Sequence, residues 1–86
     1  MQEETLAFNE IDSDIKKIIN EVTNVPVQII ENSTDLREHL GIDSFAATEI
    51  LVTIEQKYKI TLDPAEIFNL RTFADIAELT QRYLRG

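Results

Sequence analysis

Leu40-Gly41-Ile42-Asp43-Ser44-Phe45 closes a long polar connection and opens the most regularly patterned stretch of the chain. Gly41 suits a left-handed stop. Asp43 and Ser44 both carry side-chain oxygens that accept hydrogen bonds from the unpaired amides of a first helical turn. A helix is therefore expected from about Ser44 to Tyr58. At about 100° per residue, Ala47, Ile50, Leu51, Ile54 and Tyr58 fall on one stripe, enough apolar surface to seat the helix on a core. Phe45, Thr48, Glu49, Val52 and Gln56 project from the other side, with Glu55 at the margin. Ser44 heads that outward face near the positive end of a helix dipole, a setting that favours an attached phosphate ester. The plain alternative is that Ser44 only caps the helix.

Outward from this stretch the pattern stays helical. Upstream, Ile11, Ile15, Ile18, Ile19 and Val22 recur at helical spacing, and Asn9 with Asp12 resembles a capping pair, so a first helix is expected from Asn9 to about Thr23. Asp12 and Lys16 are spaced to pair on its surface. Residues 1–8 show no period and are expected to be a flexible N-terminus. Pro26 ends the first helix. The connection from Val25 to Asp43 is longer than a bundle needs, and Ile29, Ile30, Leu36, Leu40 and Ile42 are expected to pin it to the core, with a short helical turn over residues 34–40.

Downstream, Asp63-Pro64-Ala65-Glu66 signals a brief third helix, with Asp63 as cap, Pro64 at the first helical position and Glu66 reaching back. Ile67 and Phe68 are expected to complete the core beside it. Any opening into the bundle would fall between this piece and the second helix, since a short helix moves at low cost. Thr72 with Asp75 opens a last helix whose inward side is Phe73, Ile76, Ala77, Thr80, Tyr83 and Leu84, with Arg82 and Arg85 complementing its dipole. The fold expected is all-α, a small antiparallel bundle of three longer helices plus one short helix, with a long loop between the first and second.

Composition narrows the function. With 86 residues the chain makes one small domain. Its net charge of −8 argues against nucleic acid, which needs a basic face, and suits basic partners or, equally, plain solubility. Residues 1–43 hold ten acids against three Lys or Arg, whereas residues 44–86 hold six against five, so the helix opening at Ser44 is less acidic than the whole. There is no cysteine, and the lone histidine, His39, has no visible nucleophile or orienting partner; no catalytic or metal site is expected. Any thiol chemistry must come from an added group. No apolar run approaches the roughly 18 residues of a membrane span, and the acidic start does not resemble a signal peptide, so a cytoplasmic monomer is expected.

Leu40, Gly41, Asp43 and Ser44, after a long loop and before an apolar-periodic helix, resemble the attachment signature of the acyl carrier protein family, Leu-Gly-x-Asp-Ser-Leu, with Phe45 in place of the usual Leu. The likeness extends over about residues 9 to 84, making residues 9–86 an acyl-carrier-like domain. It implies that a phosphopantetheinyl transferase attaches 4'-phosphopantetheine from coenzyme A to Ser44, and that the cofactor's thiol holds an acyl group as a thioester. It further implies partners with basic docking patches: an acyl-loading ligase or transferase, and synthase enzymes of fatty-acid, polyketide or related synthesis. These would dock on Asp43, Phe45, Thr48, Glu49, Val52 and Glu55. Ala46 and Gln56 replace acids common in the family, so a carrier in a specialised pathway with its own partners fits as well as the general fatty-acid carrier. Asp-Ser-Phe also occurs in D-alanine carriers, so an aminoacyl cargo is the nearest alternative. An unmodified helical interaction module is the alternative of a different class.

Overall fold

Isoleucines four and three residues apart lay down the first wall of the bundle. In the computed structural model, which describes residues 3–85 and the side chains of residues 10–85, α1 spans Glu3–Thr23 and buries Ile11, Ile15, Ile18 and Ile19. Each such side chain contributes about 1.5–3 kcal/mol when taken from water. The helix opens before Asn9, a correction to the expected start: no Gly or Pro interrupts Glu3–Phe8, and Glu3 and Glu4 suit a helix N-terminus. Their backbone is helical, while Met1 and Gln2 of the segment expected to be flexible lie outside the described residues. Asp12 and Lys16 form no ion pair; Lys16 Nζ instead lies 5.4 Å from the centroid of the Phe73 ring.

The helix stops on Asn24, in the left-handed region at φ 66°, with its N–H donating to Asn20 O at 2.7 Å. Asparagine tolerates that conformation, so the stop precedes Pro26. A 3₁₀ turn at Val27–Ile29 follows. It places Ile30 in the core and leaves Ile29 exposed, another correction, because so tight a turn cannot face two successive side chains inward. Residues 36–40 form turns with the bonding of the short helical turn expected there, His39 N–H donating to Asp35 O at 3.0 Å. Leu36 and Ile42 are buried, and Leu40 packs partly against them.

Gly41 ends these turns at φ +68°, as its type suggests. Its N–H donates to Arg37 O and that of Ile42 to Leu36 O, both at 3.0 Å. The same strap is stitched to the start of the last helix. Leu36 N–H donates to Arg71 O at 2.8 Å and Phe73 N–H to Thr34 O at 3.0 Å, around an isolated antiparallel bridge between Asp35 and Thr72. The long loop is thereby pinned at both edges.

Helix α2 spans Ser44–Tyr58 and buries Ile50, Leu51 and Ile54. It ends on Lys59 in the left-handed region at φ 57°. Tyr58 Oη donates to Asp14 Oδ2 at 2.8 Å, tying α2 to α1, and burial with that carboxylate pushes the phenol above its ordinary range. The short piece is a 3₁₀ helix, Pro64–Asn69, with Asp63 capping Ala65 N–H at 2.9 Å. Glu66 does not reach back. Its carboxylate accepts from Tyr83 Oη at 3.1 Å and pairs with Arg82 at 3.4 Å, a charged partner that outcompetes the neutral amide.

Helix α3 spans Phe73–Arg85 behind the expected reciprocal cap, in which Thr72 N–H donates to Asp75 Oδ2 at 3.0 Å and Asp75 N–H to Thr72 Oγ1 at 3.3 Å. Phe73, Ile76, Ala77 and Thr80 are buried as the stripe requires. Leu79 joins them and Leu84 does not, because the packed face is rotated toward Leu79 and Leu84 falls on its trailing edge in the final turn. Both α2 and α3 pack on α1, completing the all-α bundle.

Candidate functional site

At the head of α2 the two candidate caps take different parts. Asp43 is the cap, its Oδ1 accepting from Ala46 N–H at 2.9 Å. Ser44 is therefore the first helical residue, exposed, and its hydroxyl makes no hydrogen bond among the described residues. The amides of Ser44 and Phe45 are likewise without an acceptor among them, as the start of a helix requires. The hydroxyl is held at a fixed place by a seated helix while remaining open to an incoming group.

Ser44 lines a cleft of about 200 Å³ whose floor is Leu36, Ile42 and Ile67, with Arg37 and Arg71 among its polar walls. His39, on the same strap, accepts Asp35 N–H through Nδ1 at 3.0 Å and closes a turn. Asp35 Oδ1 accepts Glu38 N–H at 2.7 Å, and its Oδ2 lies 3.4 Å from Arg71 Nε. The Glu38 amide, and then the Arg71 guanidinium, hold the Asp35 carboxyl below the usual carboxylate value.

A second groove, of about 180 Å³, lies between α2 and Pro64–Asn69 and is lined mainly by apolar atoms of Leu51, Val52, Leu62, Pro64 and Ile67. This is where the sequence suggested an entrance.

The outward face of α2 is assembled in part. Phe45 is 73% exposed, Val52 is exposed at the groove, and Glu49 stands free in solvent. Thr48 is exposed, with its hydroxyl donating to Ser44 O at 2.8 Å. Glu55 points elsewhere: half-buried, its Oε2 accepts Leu62 N–H at 2.7 Å and holds the link that follows α2. Phe68, expected in the core, is 86% exposed on the short 3₁₀ piece. Three residues per turn turns Phe68 outward while its neighbour Ile67 packs inward. Arg37 and Arg71 at the cleft escaped sequence reading, since only tertiary packing brings positions so far apart together.

The described residues thus form a small helical bundle that presents the Ser44 hydroxyl at a helix start, with an apolar groove along the same helix. The family model described as "Phosphopantetheine attachment site" matches residues 13–80. An acyl carrier protein of Kineococcus radiotolerans is 32% identical over 73 residues, 84% of this chain and 90% of the relative. One from Acidothermus cellulolyticus is 29% identical over 85% of this chain and 87% of the relative. One from Chlamydia muridarum is 28% identical over 83% and 92%. The chain belongs to the acyl carrier protein family, whose members are carriers rather than catalysts and bear covalently attached 4'-phosphopantetheine. Among the described residues no helix is long and apolar enough to cross a membrane.

Proposed function

We propose that Ser44 is the residue to which 4'-phosphopantetheine is attached, and that the chain carries an acyl group between a loading ligase or transferase and the synthase enzymes of fatty-acid, polyketide or related synthesis. The observation that carries this reading is the Ser44 hydroxyl, exposed at the first turn of a helix seated by Ile50, Leu51 and Ile54 and opening on a cleft with room for a tether. Asp43 holds that turn rigid, and the free amides beside it suit a phosphodiester. The group's terminal thiol supplies the thioester chemistry when it is bound. The chain's own part is to present the hydroxyl, hold the tether's root and offer docking surface.

The apolar groove between α2 and Pro64–Asn69 supports an acyl cargo over an aminoacyl one, since a hydrocarbon gains by leaving water there and an ammonium group does not. Phe45, Thr48, Glu49 and Val52 supply the outward docking face beside Asp43; Glu55 contributes by fixing the groove's edge. The partners are enzymes with basic patches around an apolar seat. The protein acts as a cytoplasmic monomer.

The test is intact mass after incubation with coenzyme A, magnesium and a broad-specificity phosphopantetheinyl transferase. The expected gain is one cofactor's mass, abolished in Ser44→Ala with helical circular dichroism retained. An unchanged mass in the wild type would instead identify an unmodified interaction module.

A further inference from the structure

A phosphodiester on Ser44 enters a neighbourhood that already holds three carboxylates, because Asp35, Glu38 and Asp43 line the same cleft. A fourth negative charge placed there is repelled unless cations face it. The cleft has two, Arg37 and Arg71, brought together although 34 positions separate them in sequence. Both side chains are exposed, and that of Arg37 has no hydrogen-bonding partner among the described residues.

Arg71 is firmly rooted. Its backbone N–H donates to Asp75 Oδ2 at 2.9 Å and its carbonyl accepts from Leu36 at 2.8 Å, while Nε alone of its guanidinium nitrogens faces Asp35, at 3.4 Å. Asp35 Oδ1 and Asp43 Oδ1 are already engaged by the Glu38 and Ala46 amides, and only Asp35 Oδ2 draws on an arginine, through Arg71 Nε. Two guanidiniums with unused planar donors, on a fixed loop edge, match the oxygens of a phosphate.

We infer that the cleft beside Ser44 is an anion seat in which Arg37 and Arg71 are positioning residues for the phosphodiester, holding the root of the arm against the strap. The inference rests on Ser44 being the attachment residue. The phosphate is the anionic group in question, rather than one at the far end of a cargo, because Ser44 itself lines the cleft and the phosphate is bonded directly to its oxygen. Removing both arginines leaves the diester among carboxylates and releases it to solvent. Lysine at both positions restores charge without the planar fork.

The experiment treats wild type, R37Q, R71Q, R37Q/R71Q, R37K/R71K and the distant control K17Q with coenzyme A, magnesium and transferase, then records intact mass. Failure of the wild type to gain the cofactor, or a gain that persists in Ser44→Ala, overturns the attachment reading and the seat with it. On the loaded proteins, phosphorus NMR reads the diester directly, with urea-unfolded loaded protein as the free reference. The wild-type resonance is expected to be displaced and broadened relative to that reference and to return toward it as salt is added. R37Q/R71Q is expected at the reference position at every salt concentration, R37K/R71K between the two, and K17Q with the wild type. The single variants carry the test if the double variant loses helicity. Loaded, helical wild type and R37Q/R71Q with the same resonance position and width would overturn the seat, as would an equal change in K17Q.

Discussion

Glu55 and Glu49 lie six residues apart on one helix, and the structure gives them opposite work, which a melting experiment can separate. Glu55 Oε2 accepts the Leu62 amide at 2.7 Å, and the Leu62 side chain beyond it is buried. A hydrogen bond to a charged acceptor contributes about 1.5–3 kcal/mol, and Glu55→Ala also strands the amide. A chain of 86 residues holds about 4–13 kcal/mol in total. Since about 1 kcal/mol moves the melting midpoint of so small a domain by about 4–8 °C, the expected fall is on the order of ten degrees. Glu49→Ala, which removes an exposed carboxylate, should stay within about 0.5 kcal/mol of wild type. Glu55→Gln keeps a neutral acceptor oxygen and should recover about half of the loss. Thermal unfolding by circular dichroism reads all three. If Glu55→Ala melts with the wild type, or Glu49→Ala falls as far, the division of labour along α2 is wrong.

Other outcomes follow from single contacts. Ile54→Ala empties a site with 0% exposure and should cost about 2–5 kcal/mol in denaturant unfolding, with an unchanged m-value. Gly41→Ala meets no atom within 4 Å but must adopt φ +68°, so its cost is purely conformational, about 1–2 kcal/mol; a larger loss would mean the turn is crowded. The Asp35 carboxyl, lowered from 3.8 chiefly by the Glu38 amide, lends stability that is full above that value and drains away as pH falls through its lower folded value. Urea midpoints of wild type and Asp35→Asn should therefore differ at neutral pH and converge in acid; a constant gap would contradict the assignment. Phe68→Ser removes a side chain that is 86% exposed and should leave the melting midpoint unchanged, whereas a loss of several degrees would place that ring in the core after all.

What the sequence determined by itself is the part written in local chemistry. Helical spacing of Ile15, Ile19, Ile50 and Ile54 marks the core faces, because side-chain direction repeats with the backbone. Asp43, Gly41, Asp63 and the Thr72–Asp75 pair mark helix boundaries, because capping is satisfied within a few residues. The exposed hydroxyl of Ser44 at a helix start belongs to the same class of local fact. The left-handed stops at Asn24 and Lys59 carry no such local signature, since neither residue type demands that conformation.

Only the tertiary structure decided matters that hang on which surfaces meet. It turned Glu66 toward Tyr83 and Arg82, spent Glu55 on Leu62, left Phe68 and Ile29 in water, and stitched the long strap to the start of α3. It also carried Arg37 and Arg71 to one cleft beside Ser44. A carboxylate or guanidinium is long and flexible, and chooses among partners by distance in space. That distance is set when the helices pack, and no spacing along the chain encodes it.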